Sequence, residues 1–112
     1  MRIAIIGMGV QGRKRRAIAA DQVVATVDPA TPGADFKNVE QLPLAVFDAA
    51  CVCVPDREKL PILHHLLQHG KHVLVEKPLL GNPAEIQNLI ELTRLRRTAC
   101  YTAYNHRFEP HI

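Results

Sequence analysis

Ile3-Ala4-Ile5-Ile6-Gly7-Met8-Gly9-Val10-Gln11-Gly12 opens the chain, and its reading decides the fold. Four apolar residues without a polar break fit a strand covered on both faces, as in a parallel sheet. The run ends in a G-x-G-x-x-G, and a helical pattern follows from about Val10 to Ala20. A strand, then the glycines, then a helix is the context that gives this motif a mechanism. Gly7 permits a tight turn. Gly9 lets a diphosphate approach the backbone, and Gly12 lets the helix lie close on the strand. Diphosphate oxygens then meet the free N–H groups and positive end of the helix. Gly7, Met8, Gly9, Val10, Gln11 and Gly12 are therefore candidate cofactor contacts.

A second apolar strand, Val23 to Val27, ends at Asp28, about twenty residues beyond the motif, where a dinucleotide-binding unit carries an acidic residue. A carboxylate there can accept from the ribose hydroxyls and would repel a 2′-phosphate. NAD is favoured over NADP, although Arg13-Lys14-Arg15-Arg16 nearby keeps NADP as the lesser option.

Outward from these two points, strands and helices alternate. Residues 29–35 read as a loop, since two prolines and a glycine interrupt any period. A short strand is expected within Phe36 to Leu42, and a strong one over Ala49 to Val54, stopped by Pro55. Lys59 to His69 reads as a helix in which Pro61 is acceptable only in the first turn, with Gly70 closing it. His72 to Val75 is a strand. Asn82 is placed to cap a helix from Pro83 to about Arg97, and Thr98 to Tyr104 forms the last strand. The expected fold class is α/β: a Rossmann-type, doubly wound, mostly parallel sheet.

Composition agrees. A chain of 112 residues suits one domain, 1–112, and an apolar content of 47% is too high for disorder. The net charge of +3 lies largely in Arg13–Arg16 and in Arg94, Arg96 and Arg97. Both clusters fall in helical patterns and read as solvated faces; without interleaved aromatics they argue against nucleic-acid binding. Cys51, Cys53 and Cys100 form no C-x-x-C pair and read as buried free thiols in a reducing compartment. No metal-ligand spacing is present. No apolar run suits a signal peptide or a membrane span, so a cytoplasmic protein is expected.

Three further segments end strands where open sheets bind ligands: Val54-Pro55-Asp56, Gly70-Lys71-His72-Val73-Leu74-Val75-Glu76-Lys77-Pro78, and Tyr104-Asn105-His106-Arg107-Phe108-Glu109-Pro110. With the glycine turn, they make the chain resemble the N-terminal domain of the Gfo/Idh/MocA oxidoreductases, the glucose–fructose oxidoreductases and inositol dehydrogenases. The resemblance implies a nicotinamide-dependent reaction at a hydroxyl-bearing carbon of a sugar, cyclitol or similar small molecule. It makes Lys77 the catalytic candidate, beside the nicotinamide and the reacting hydroxyl, and adds Val54, Pro55, Asp56, Glu76, Lys77 and Asn105 to the cofactor contacts. An ammonium at Lys77 suits oxygen charge that develops during the reaction.

The chain also departs from that family. The strand-end motif T-P-N-x-x-H is Val54-Pro55-Asp56-Arg57-Glu58-Lys59 here. The interval between Asp28 and Asp48 is too short for a helix and a strand, so the second crossover helix should be missing or reduced. Residues 104–112 read as the start of a connection to an absent substrate domain, which leaves the chain incomplete for catalysis alone. Apolar surface near Tyr101, Tyr104 and Phe108 would then recruit a second copy or a partner chain. A non-catalytic nucleotide-binding or sensor module that docks on a partner is the alternative reading.

Overall fold

The computed structural model describes residues 1–76 and 82–103. Five parallel strands form one sheet in the order β2-β1-β3-β4-β5. These are β1 (Ile3–Ile6), β2 (Val23–Val27), β3 (Ala49–Val52), β4 (His72–Glu76) and β5 (Cys100–Ala103). The helices are α1 (Val10–Ala19), α2 (Asp56–Gln68) and α3 (Pro83–Arg96). The chain steps from β1 to β2 on one side, then returns to β3 on the other. That reversal opens a crevice beyond the carboxyl ends of β1 and β3.

Period-two alternation sorts the strand residues between two faces. Ala4, Ile6, Ala50, Val52, Val73 and Val75 are buried together with Leu63, Leu66 and Leu67 of α2 and Leu89 of α3. Ile5 and Glu76 occupy the opposite face, where α1 packs. Farther along that face, Ile3, Cys51, Leu74 and Tyr101 border an apolar groove of about 370 Å³, and Tyr101 is 46% exposed. Tyr104 and Phe108, expected to share this surface, lie outside the described residues.

The N-terminus of α3 follows the expected chemistry. The Asn82 side chain accepts from the Glu85 N–H at 2.8 Å, and the Glu85 carboxylate accepts from the Asn82 N–H at 2.9 Å. Two of the otherwise unmet amides are thereby satisfied, with Pro83 starting the helix. Helix α2 differs from expectation. It begins at Asp56, three residues early, so Pro61 lies beyond the first turn. The Arg57 carbonyl loses its helical donor, but both residues are exposed and water can replace it.

The interval from 28 to 48 holds no α-helix, as its length requires. The short strand expected within Phe36 to Leu42 contracts to one bridge between Val27 and Phe36, followed by 3₁₀ turns at Val39–Gln41 and Leu44–Val46. Polar clips hold this segment where a helix would otherwise pack. Asp35 accepts from the Thr26 N–H at 2.9 Å. Lys71 donates to the Leu44 and Phe47 carbonyls at 2.6 and 2.7 Å, with its ammonium 4.7 Å from the centre of the buried Phe47 ring. Asp48 accepts from the Arg2 backbone N–H at 2.8 Å and from its guanidinium at 3.0 Å.

The side-chain and backbone bonds from Arg2 hold the Asp48 carboxyl down at about 2. A depressed carboxyl stabilises the fold above its unfolded value, and this contribution is lost as pH falls through the folded value. Asp48→Asn is therefore expected to be less stable than wild type at neutral pH, with the difference closing between about pH 4 and pH 2. Urea unfolding across that range measures it; a gap that persists at pH 2 would contradict the assignment.

Candidate nucleotide-binding crevice

The glycine turn is built by close approach. Gly7 has a φ of +95°, and a Cβ there would collide with the Cys53 carbonyl. A Cβ at Gly12 would overlap the Gly7 carbonyl oxygen, so α1 can lie on β1 only without one. At Gly9 a Cβ would meet nothing within 4 Å. That space lies at the N-terminus of α1, for which Gly9 is the cap residue. First-turn amides there have no intrahelical acceptor, which makes the opening suited to an anion.

A cavity of about 510 Å³ opens at this point, within the size range of small-molecule and cofactor pockets. Gly7, Gly9, Val10 and Gln11 line it from the turn, and Asp28, Pro29 and Ala30 line it from the end of β2. Cys53, Val54, Pro55 and Glu58 close it from the β3–α2 side. Seven of the expected contacts thus meet in one crevice: Gly7, Gly9, Val10, Gln11, Asp28, Val54 and Pro55.

Asp28 does more than border the cavity. One carboxylate oxygen accepts from the Met8 N–H at 2.7 Å. The other accepts from the Ala30 and Thr31 N–H groups at 2.8 and 3.0 Å. Burial alone would raise this carboxyl, but these amides and the Thr31 side chain outweigh it and hold it below the ordinary carboxylate value. The residue stays ionised, and it ties the glycine turn to the loop after β2.

The remaining expected residues are placed differently. The Met8 side chain is buried and borders a neighbouring cavity of about 220 Å³ with Arg16, Thr26 and Thr31. Gly12 lies under the turn. Asp56 pairs with the Lys59 ammonium at 3.0 Å. Glu76 is buried and pairs with the Arg15 guanidinium at 2.5 Å, while its backbone carbonyl accepts from the Lys59 ammonium at 2.5 Å. Lys77 and Asn105 lie outside the described residues.

Arg15, Lys59 and Glu58 were not singled out from the sequence. Arg15 corrects the reading of residues 13–16 as a wholly solvated stripe: Arg13, Lys14 and Arg16 are exposed, but Arg15 turns inward. Lys59 is only 2% exposed although it stands in the first turns of a helix. Near Glu76, burial pushes the Cys53 thiol up to about 12 and raises Cys51 as well. Both remain protonated and unreactive at neutral pH.

The model of an oxidoreductase family with an NAD-binding Rossmann fold, GFO_IDH_MocA, matches residues 1–104. Inositol 2-dehydrogenase 4 of Saccharopolyspora erythraea is 28% identical over 98% of this chain, which covers 38% of that protein. UDP-N-acetylglucosamine 3-dehydrogenase GnnA from Acidithiobacillus ferrooxidans superposes with a TM-score of 0.79 at 26% identity, over 91% of this chain and 38% of that one. The WlbA (WbpB) dehydrogenase from Thermus thermophilus, solved in complex with NAD and UDP-GlcNAcA, gives 0.78 at 26% identity, over 91% and 41%. The chain thus spans well under half the length of these relatives.

Two stability contrasts follow from the packing. Gly12→Ala should cost on the order of 4 kcal/mol or more, because backbone must move, whereas Gly9→Ala should stay within about 1 kcal/mol. Equal unfolding midpoints for the two variants would show that the turn is not packed this way. Arg15→Met leaves the buried Glu76 carboxylate unpaired and should cost roughly 2–4 kcal/mol, reduced from the fully buried case by the partial exposure of Arg15. Adding Glu76→Met should recover part of that loss, as denaturant titration of the single and double variants would register.

Proposed function

The chain belongs to the Gfo/Idh/MocA oxidoreductase family, and we propose that it is the nucleotide-holding part of an enzyme that interconverts a hydroxyl and a keto group on a sugar, cyclitol or related small molecule. One observation carries this reading: the open space at Gly9, the first residues of α1 and the Asp28 carboxylate share one crevice. NAD, when bound, supplies the hydride acceptor. The diphosphate rests at Gly9, Val10 and Gln11, and the adenosine ribose reaches Asp28. Val54 and Pro55 bound the crevice toward β4. The net negative environment at Asp28 disfavours NADP.

Lys77 follows directly on Glu76, which is held through its carboxylate by Arg15 and through its backbone by Lys59. The last residue of β4 is thereby fixed on both sides of the sheet. Its ammonium is assigned to the reacting oxygen, where it stabilises negative charge and passes a proton. Asn105 is assigned to the cofactor side of the same crevice. Arg15 and Lys59 are positioning residues, since neither borders the cavity.

The relatives' greater length leaves room for a segment that completes the substrate pocket. The apolar groove beside Tyr101 is assigned to a further stretch of chain, a second copy or a partner that covers it. Among the described residues no helix is long and apolar enough to cross a membrane. Three cysteines without disulfide partners fit a reducing compartment, the cytoplasm.

Calorimetric titration should show NAD binding more tightly than NADP. Gly9→Val should abolish both, since side-chain bulk fills the diphosphate space. Lys77→Ala should leave NAD affinity within about two-fold, because its role lies in the transition state. In an assembly with a complete substrate pocket, that variant should lose turnover of sugars or polyols. Unchanged NAD affinity in Gly9→Val would refute the cofactor's placement, and full turnover by Lys77→Ala would refute the lysine's role.

A further inference from the structure

We infer that Glu58, on the first turn of α2, is a second adenosine-binding carboxylate that acts with Asp28 to select NAD and reject NADP. This role rests on the NAD reading above and follows from how Asp28 is engaged. A carboxylate offers about four acceptor positions, two on each oxygen. Three of those on Asp28 already receive the Met8, Ala30 and Thr31 amides. Adenosine brings several donors, namely two ribose hydroxyls and the adenine amine. The Thr31 side chain bonds to Asp28 as well, so little acceptor capacity on that carboxylate remains for these donors.

Glu58 supplies what is short. It borders the same cavity as Asp28, Pro29 and Ala30, and no residue of β4 contributes to that lining. With the glycine turn and the end of β2 in its lining, the cavity is assigned to the adenosine and diphosphate portion of a dinucleotide. The other carboxylates around the crevice are engaged: Asp56 with Lys59, Glu76 with Arg15, and Asp28 with three amides. Glu58 forms no ion pair among the described residues. Its helix is anchored from beneath by the buried Lys59, one residue on. Half-buried, it faces an opening whose only charged lining groups, among the described residues, are itself and Asp28.

Two consequences follow for ligand choice. Neutral hydroxyl or amine donors gain an ionised acceptor, which is a strong form of hydrogen bond. A 2′-phosphate, by contrast, meets two carboxylates and, among the described residues, no cation in the same lining. Arg16, the nearby candidate for phosphate, borders the separate cavity with Met8 and Thr31.

Titration of the full chain with NAD, NADP and ADP-ribose tests this. Glu58→Ala should weaken NAD and ADP-ribose equally, by about 3- to 10-fold, because the lost bond lies on the shared adenosine half. Glu58→Gln keeps an acceptor but removes the charge; it should restore most NAD affinity and raise NADP affinity about 3- to 5-fold, an effect that shrinks with salt. Circular dichroism confirms that both variants fold, and the glutamine variant retains the size of the side chain. A loss seen with NAD but not with ADP-ribose would put Glu58 at the nicotinamide end and overturn the inference. So would a wild type that binds NAD while both variants keep its affinities and its preference over NADP. Failure of wild type to bind either NAD or ADP-ribose would instead remove the cofactor reading beneath it.

Discussion

The carbonyl oxygen of Gly7 occupies the place where a side chain on residue 12 would stand. This exclusion sets the distance between β1 and α1, and most of the crevice depends on it. A helix held that close points its first amides over the end of the strand rather than past it. The open space at Gly9, proposed for the diphosphate, lies beside a turn where two backbones meet without Cβ atoms between them. The Met8 N–H is turned toward Asp28 by the same fold of the turn, so the acidic residue and the anion site are mechanically one unit. A substitution at Gly12 therefore damages binding through the fold, whereas one at Gly9 damages it through the ligand.

A second unit gathers around Glu76. Its side chain and its backbone are gripped from opposite faces of the sheet, by Arg15 on α1 and by Lys59 on α2. Two buried or half-buried cations are an expensive way to fix one strand end, since each loses solvation. The arrangement makes sense beside the residue proposed to carry the reaction, and the next residue in the sequence is Lys77. It also accounts for Asp56, which neutralises the Lys59 ammonium at a helix N-terminus that would otherwise repel it.

The order of elements was legible because the strands are continuous apolar runs and because Gly7, Gly70, Pro55 and Asn82 punctuate them. The crevice was legible where backbone chemistry demanded a residue type, as at Gly9 and Asp28. It was not legible where a side chain chose between solvent and interior. Arg15 looks like one of four adjacent basic residues, yet it lies one helical turn from Gly12, the position that must face the strand. That spacing was the available signal. Lys59 offered only its i, i+3 spacing from Asp56, which marks a surface pair as readily as a buried one, and the main-chain carbonyl it also meets is 17 residues away. The short strand within Phe36 to Leu42 failed for a related reason: β-forming residues there meet only one free edge and too few cross-strand partners to extend beyond a single bridge.

The lost crossover helix bears on chemistry as well as on architecture. Between Asp28 and Asp48 the chain relies on local clips rather than a packed helix, and of the loop after β2 only Pro29 and Ala30 border the crevice. A helix in this place would normally shield the adenine side. Without it, selectivity must come from charge lining an open cavity rather than from enclosure, and open sites screen charge more effectively. More than one carboxylate is then needed to hold the same discrimination against a 2′-phosphate. Engagement of Asp28 by three amides sharpens that need, since the hydrogen bonds that keep it ionised also occupy most of its acceptors. The shortened second crossover and the carboxylate on α2 are thus two sides of one constraint: what the crevice lacks in cover, it must supply in placed negative charge.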